Sequence, residues 1–223
     1  MQNKQKVNYF DLGLCRGLEL SAMIYQIFPY LEIENYNVYG FEACKFYADN
    51  LDIYFREDDK INIYNLAIAD KQKKIKLYYS PNLVGHSIFK SKSNVEENYY
   101  EEVNAIIFSE WLQENVPDFR NAFNILKVNI EGAEWHLFND LAKNNLVKYF
   151  DIFCGQAHDI AKVAELSDKI EVYNELLEKY SIVLHRFTEH KPEQNVPMEK
   201  LIYEKMENKK CLKFSFFVPD KHI

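Results

Sequence analysis

Short apolar segments alternate with stretches of helical periodicity along most of the chain. Residues 7–10, 38–41 and 61–64 are short and apolar enough for buried strands. Between and after the first two, apolar residues recur at helical spacing over residues 18–28 and 46–55. Strands that alternate with helices in this way predict crossover units and a parallel sheet.

The second half of the chain continues the alternation. Further strands or extended segments are predicted over residues 75–79, 103–108, 123–128, 149–154, 182–187 and 212–218. A long amphipathic helix is predicted over residues 160–180. We therefore expect one α/β domain with a mostly parallel seven-stranded sheet, helices on both faces and an antiparallel C-terminal strand.

A glycine-containing turn follows the first predicted strand. Asp11 ends the strand, Gly13 and Gly17 follow, and the helical pattern begins at once. Glycine permits a positive φ and a close approach of the backbone to a ligand, and the next helix offers free N–H groups. The spacing differs from the G-x-G-x-x-G turn that receives a pyrophosphate, and the carboxylate of Asp11 would repel one. A cationic sulfonium cofactor with an amino-acid tail therefore fits the turn better than a dinucleotide.

Polar residues also stand at the ends of later predicted strands. Glu42 follows the second strand, where a carboxylate can accept both hydroxyls of a ribose; a surface carboxylate beside a helix N-terminus is the alternative. Asn65 follows the third strand and could line an adenine pocket, although Asn is also a common turn residue. The long polar loop of residues 80–100 contains Gly85-His86-Ser87 and is interpreted as a lid or acceptor wall.

Composition narrows the class of protein. The net charge of −7 argues against a broad nucleic-acid surface. The four cysteines, Cys15, Cys44, Cys154 and Cys211, form no C-x-x-C pair and are interpreted as reduced thiols of a cytoplasmic protein. No apolar stretch approaches the ~20 residues needed to cross a bilayer, so we expect no membrane span.

The combined motifs carry a family resemblance. D-L-G-x-x-x-G, G-F-E-A, N-x-A-I-A-D, G-H-S and L-K-V-N-I-E-G-A-E follow one another over about residues 7 to 160. The set resembles the FkbM family of S-adenosylmethionine-dependent methyltransferases. The resemblance implies a class I methyltransferase Rossmann-like fold and O-methylation, commonly of a sugar or natural-product hydroxyl, with a small-molecule or glycan acceptor.

The resemblance also implies roles for individual residues on the cofactor side. It implies that Asp11, Gly13 and Gly17 hold the methionine moiety, Glu42 the ribose, and Asn65 with Ala67 the adenine side. The further cofactor-binding candidates are Cys15, Arg16, Ala43, Leu66 and Asn129. Two residues depart from the family pattern. The family usually has Asp at Asn129 and Glu at Gln156, so both changes remove a negative charge near the expected sulfonium and acceptor.

The acceptor side is less well specified by the sequence. His158 is the first candidate for a general base, because an imidazole with a pKa near ~6.5 accepts a proton near neutrality. Glu131 is the second; a structural histidine and a helix-dipole carboxylate are the alternative interpretations. The substrate-binding candidates are His86, Ser87, Gln156 and Asp159.

Two further alternatives concern metal and catalysis. Metal-assisted transfer would need several charged oxygen ligands, whereas Asn129, Gln156 and Asp159 offer one full charge among them, so we expect no metal. A non-catalytic S-adenosylmethionine-binding protein is compatible with the changes at Asn129 and Gln156.

Overall fold

The structure, a computed structural model, describes residues 5–215, with side chains to residue 209. Its strands are β1 (Val7–Leu12), β2 (Tyr36–Phe41), β3 (Ile61–Tyr64), β4 (Ala67–Ile68), β5 (Lys73–Tyr78), β6 (Tyr100–Ile106), β7 (Phe123–Val128), β8 (Ile152–Gly155) and β9 (Leu184–Arg186). Six of them form one parallel sheet in the order β3-β2-β1-β7-β8-β9. The predicted Rossmann-like α/β fold is confirmed.

A second, three-stranded sheet has the order β4-β6-β5. Strand β4 pairs parallel to β6, and β5 pairs antiparallel to it. The strand predicted over residues 75–79 therefore belongs to this sheet. Ala67, Leu77, Val103 and Ala105 are buried together with Cys44, so the small sheet has an apolar cluster of its own.

Helices cover both faces of the main sheet. They are α1 (Leu18–Ala22), α2 (Phe28–Tyr30), α3 (Lys45–Phe55), α4 (Phe108–Asn115), α5 (Glu134–Lys143), α6 (Ile170–Lys179) and α7 (Met198–Ser215), with a π-helical turn, Met23–Ile27, joining α1 to α2. Side chains of successive residues in β1 point to opposite faces of the sheet, as they do in any β-strand. Tyr9 packs with residues of α1, α3 and α7, and Phe10 packs with residues of α4, α5 and α6.

The C-terminal part differs from the prediction. Residues 212–215 of the predicted last strand belong to α7, and residues 216–218 lie outside the described residues. Good helix formers, mainly Lys and Glu, occupy much of the segment from Met198 onward, and their propensity carries the helix into the apolar residues beyond. The described main sheet is therefore six-stranded and has no antiparallel strand.

The long helix predicted over residues 160–180 is also interrupted. Two 3-10 turns, Asp159–Lys162 and Ala164–Lys169, precede α6. Val163 between them is extended and forms an isolated bridge with Lys92, and the N–H of Ser93 donates to the carbonyl oxygen of Lys162 at 3.0 Å. The backbone of the 80–100 loop thus pairs with residues 162–163, where the prediction has a continuous helix. Among the helices the structure describes, none has the length and apolar character needed to cross a bilayer.

Candidate active site

A cavity opens at the carboxyl ends of the central strands. Strand β1 has β2 on one side and β7 on the other, so the strand order reverses there, where open α/β sheets bind ligands. The cavity encloses about 800 Å³ including its open mouth. The predicted site residues that line it are Gly13, Cys15, Glu42, Ala43, Leu66, Ala67, His86, Asn129 and Glu131.

The glycine turn brings the backbone to the floor of this cavity. Gly13 has φ +86°, and a Cβ on it would lie 1.9 Å from the carbonyl oxygen of Asn129. The N–H groups of Gly13 and Leu14 both donate to the carbonyl oxygen of Phe41, at 2.9 and 3.2 Å. Gly17 has φ +73° but does not line the cavity; a Cβ there would meet only the end of the Leu51 side chain. Gly13 is therefore required by the close approach of two backbones.

Asp11 does not line the cavity, although the sequence predicts that it contacts the cofactor directly. Its carboxylate forms an ion pair of 2.8 Å with Lys127 and accepts a hydrogen bond from Tyr9, and both charged side chains are 1 % exposed. Lys127 also donates to the carbonyl oxygen of Gly13 at 2.7 Å. Burial raises the pKa of Asp11, and the positive charge of Lys127 opposes that rise. Burial alone would lower the pKa of Lys127, but the negative charge of Asp11 outweighs burial, so the pKa of Lys127 is raised. The pair fixes the turn from below.

Glu42 lies on the cavity wall, with both carboxylate oxygens engaged by the backbone. The N–H of Cys15 donates to one oxygen at 2.6 Å, and the N–H of Cys44 donates to the other at 2.8 Å. Burial raises the pKa of Glu42, and these two N–H groups oppose the rise. Each oxygen keeps a second lone pair, so the carboxylate can also accept hydroxyl groups from a ligand.

The wall next to Glu42 is apolar. Leu66, Ala67 and Ile68 line it, whereas Asn65 does not. The side-chain amide of Asn65 donates to the carbonyl oxygens of Glu42 and Ala43, at 3.0 and 2.9 Å. Asn65 therefore shapes the wall through the backbone of the neighbouring strand end, and its contact with adenine stays a prediction.

The loop after β9 closes one end of the cavity, which the sequence did not predict. Glu189 and His190 line the cavity together with Glu19 of α1. Arg16, which itself does not line it, pairs with Glu189 at 2.6 Å, and the N–H of Glu189 donates to Glu19 at 2.9 Å. These residues follow the end of a parallel strand, so the rule that ligands bind at that edge would have indicated them.

A protein-family model matches most of the chain. The model of the methyltransferase FkbM domain matches residues 12–178. The chain belongs to the FkbM methyltransferase family. Membership in the FkbM family implies S-adenosylmethionine as the methyl donor.

One solved structure is similar to this FkbM chain. It is methyltransferase FkbM from Methylobacillus flagellatus KT, with 11% sequence identity and a TM-score of 0.41. The match covers 78% of this chain and 37% of the length of that protein. No curated protein matches the chain.

Glu131 is the carboxylate of the FkbM segment K-x-x-x-E-G-A-E that lines the cavity. It has φ +55°, in a conformation that non-glycine residues seldom adopt, and the hydroxyl of Ser87 donates to its carbonyl oxygen at 2.7 Å. Burial raises the pKa of Glu131 to about 7, and so does a hydrogen bond that its protonated form donates to the Asp159 carboxylate, although Lys92 opposes the rise. Near neutrality both the protonated and the ionised form of this carboxyl group are therefore populated.

Lys92 was missed by the sequence interpretation. Its side chain is fully buried and its ammonium lies 2.6 Å from an oxygen of Glu131 and 3.6 Å from one of Asp159. Sequence gives little warning of such a residue, because it lies in the polar loop among exposed lysines such as Lys90. The only signal is its place shortly after the G-H-S motif.

Four predicted acceptor-side residues do not line the cavity. His158 is exposed, and Gln156 is half-buried beside it. Asp159 is buried and forms ion pairs with Lys92 and Lys162, the latter 2.8 Å long. Ser87 is turned to the backbone of Glu131, as described above. Direct contact of these four with an acceptor is therefore not supported by their positions.

His86 does line the cavity, as a neutral ring. Its Nδ1 accepts a hydrogen bond from the N–H of Ser80 at 3.0 Å, and its ring lies against those of Tyr47 and Tyr79. Burial, together with the charge of Lys92, lowers the pKa of His86 to about 4. The neutral tautomer that accepts at Nδ1 carries its proton at Nε2, so His86 is suited to donate a hydrogen bond and not to act as a base.

The cavity fits a cationic cofactor. Glu19, Glu42 and Glu189 place carboxylates on its wall, Gly13 admits a ligand against the backbone, and the Leu66 to Ile68 segment offers an apolar surface. Within the described part of the chain, no three His, Cys, Asp or Glu side chains are grouped so that they could hold a metal ion.

Proposed function

We propose that the chain is an S-adenosylmethionine-dependent O-methyltransferase that acts on a hydroxyl of a sugar, glycan or related small molecule. The observation that supports this is a single cavity that is lined both by the Gly13 turn with Glu42 and by a carboxyl group, Glu131, with a pKa of about 7. The Gly13 turn and Glu42 offer cofactor recognition, and Glu131 offers a proton acceptor.

On the cofactor side the proposed roles follow the cavity wall. Gly13 and Cys15 lie against the amino-acid part, Glu42 accepts the ribose hydroxyls, and Leu66 and Ala67 contact the adenine. Asp11 acts at a distance, through Lys127 and the backbone of the turn. When bound, S-adenosylmethionine supplies a methyl group on a sulfonium sulfur, which leaves as a neutral thioether with the electron pair of the broken bond.

On the acceptor side the protein has two tasks. Orientation of the reacting groups can be worth ~7–11 kcal/mol, and the cavity walls provide it. The hydroxyl must also lose its proton as it attacks, and a positioned base typically contributes ~10²–10⁴-fold. Glu131 is the proposed base, because it lines the cavity whereas the exposed His158 does not. His86 is proposed to orient the acceptor with its Nε2–H.

A second candidate function is cofactor binding without turnover. Asn129 lines the cavity where the family pattern has Asp, so one charge of that pattern is missing from the wall. The two functions differ in one measurement. An enzyme forms S-adenosylhomocysteine from S-adenosylmethionine when mixed with pools of hydroxylated acceptors, and a binder does not.

The test of the proposed function is binding of S-adenosylhomocysteine, measured by calorimetry and thermal shift. Ligand at 100 times its Kd should stabilise the folded protein by about 2.7 kcal/mol. Glu42→Gln should weaken binding about 10- to 100-fold, because hydrogen bonds to a charged group contribute about 1.5–3 kcal/mol. Glu97→Gln, an exposed residue paired with Lys90, is the matched control and should bind as the wild type does. A folded wild-type protein that does not bind millimolar S-adenosylhomocysteine would refute the proposal.

A further inference from the structure

Glu131 is accessible to the cavity while its charged partner is not. Its side chain is 22% exposed, whereas that of Lys92 is 0% exposed, and their charged atoms lie 2.6 Å apart. A lysine buried to this degree needs several acceptors, because an ammonium taken out of water is costly unless its hydrogen bonds are replaced.

The three N–H donors of Lys92 match three acceptors within the protein. They are the carbonyl oxygen of Gly85 at 3.1 Å, the side-chain oxygen of Asn94 at 2.7 Å and an oxygen of Glu131. An ammonium has three donors and no acceptor. Lys92 therefore has no donor left for a substrate, and any function it has acts through Glu131 or through the loop.

We propose that Lys92 is a positioning residue for Glu131. It holds Oε2 of the carboxylate at 2.6 Å and so fixes the orientation of the group that is to receive the proton released by an acceptor hydroxyl. The inference rests on the proposed function of Glu131 as the base. Lys92 also donates to the carbonyl oxygen of Gly85, the residue before His86. The same ammonium therefore fixes the position of the His86 segment relative to the Glu131 carboxylate.

The charges around the Glu131 carboxylate come from three other elements of the site. Lys92 belongs to the loop before β6, Asp159 and Lys162 belong to the 3-10 turn, and Glu134 begins α5. Burial and Asp159 raise the pKa of Glu131, and Lys92 lowers it. Removal of the Lys92 charge should therefore raise the pKa of Glu131 further, and the acid limb of a pH–rate profile should move upward with it.

The experiment measures the ionisation of Glu131 directly, by ¹³C NMR of its side-chain carboxyl, and needs no acceptor. Lys92→Met, which keeps most of the aliphatic stem, should raise the pKa of Glu131 by about 1–3 units, the usual effect of a close opposite charge. Lys92→Arg, which keeps the charge, should restore most of the wild-type value. Lys90→Met removes an exposed lysine of the same loop and should leave the titration unchanged.

Two further readouts separate positioning from general structure. In the wild type, the pH titration of the ¹⁵N signal of the Lys92 ammonium should have the same midpoint as that of the Glu131 carboxyl. This measurement needs only the wild-type protein, so it tests the inference even if Lys92→Met does not fold. Once an acceptor is in hand, Lys92→Met should lower kcat at pH 7 and regain activity at higher pH, with the KM for S-adenosylmethionine little changed.

The failure of this inference differs from failure of the proposed function. If Lys92→Met folds and binds S-adenosylhomocysteine but its Glu131 titrates as in the wild type, Lys92 does not position the base. Independent midpoints for Lys92 and Glu131 in the wild type would overturn the inference in the same way. If the wild type does not bind S-adenosylhomocysteine at all, the proposed function fails first, whatever the titrations show.

Discussion

The two halves of the cavity use buried charge in opposite ways. In the cofactor half, Asp11 and Lys127 neutralise each other below the glycine turn and fix the backbone of Gly13. In the acceptor half, Glu131 lies beside Lys92 but also beside other carboxyl groups, and its pKa is about 7. One half therefore converts charge into rigid backbone geometry, and the other keeps a proton exchangeable.

Breaking the Asp11–Lys127 pair should give the largest effect. Lys127→Met leaves a buried, uncompensated carboxylate, which typically costs about 3–5 kcal/mol, and it removes the hydrogen bond to Gly13. We expect a lower midpoint in urea denaturation and weaker binding of S-adenosylhomocysteine in the same variant.

The control for that variant is a surface ion pair. Lys6 and Asp118 are also 2.8 Å apart but about one third exposed, so Lys6→Met should cost about 0–1 kcal/mol. The double variant Asp11→Asn, Lys127→Met should be less destabilised than the two single variants together, because no lone charge remains. Equal costs for Lys127→Met and Lys6→Met would contradict the role of the buried pair.

A methyl group at Gly13 should have the next largest effect. Gly13→Ala places Cβ 1.9 Å from a backbone oxygen that cannot rotate away. The left-handed conformation costs about 1–2 kcal/mol and the crowding a further ~1–3 kcal/mol. S-adenosylhomocysteine binding should fall together with stability, since the backbone that would contact the ligand must shift.

Gly17→Ala is the matched comparison. Its φ is also positive, but the added Cβ meets the flexible end of Leu51 at 2.6 Å, so the crowding can be relieved. We expect a smaller loss of stability, measured by thermal denaturation, and nearly unchanged ligand affinity. If both variants lose the same affinity, close approach at Gly13 is not what shapes the cofactor half.

The difference between the halves also explains how far the sequence could lead. Gly13 and Glu42 were identified because each follows a strand within a few residues, so local pattern places them at the sheet edge. Asp11 is predicted to end the first strand, whereas the structure places it within β1, and only the strand pairing reveals that its partner Lys127 stands opposite it on β7. A carboxylate without a known partner was interpreted as free to bind the cofactor.

The acceptor half could not be derived in this way. Lys92 lies in a loop, whose course depends on long-range contacts such as the Lys92–Val163 bridge. His158 follows a strand end as Glu42 does, yet its side chain is exposed. Position in the chain fixes which edge of the sheet a residue reaches, and packing decides where its side chain lies.

A further expected effect, which depends on pH, concerns Glu134, a second carboxyl group of the acceptor half. It is fully buried, accepts the N–H of Gly132 with one oxygen, and burial raises its pKa to about 8; its other oxygen has no partner among the described residues. The folded pKa lies above the ordinary value near 4.5, so the folded state holds the proton more tightly. Stability from this group is full below about pH 4.5 and is lost as the pH rises to about 8.

Glu134→Gln cannot ionise and should remove this loss. Between pH 5 and 8 the free energy of unfolding of the wild type should fall by up to ~1.4 kcal/mol per pH unit for one proton. The variant should show a shallower slope in urea denaturation across that range; part of the slope should persist, because Glu131 titrates there as well. Glu97→Gln, exposed to solvent, should keep the wild-type slope. An unchanged slope in Glu134→Gln would mean that Glu134 stays ionised when buried. Glu131 would then be the one group in the acceptor half for which an exchangeable proton is inferred.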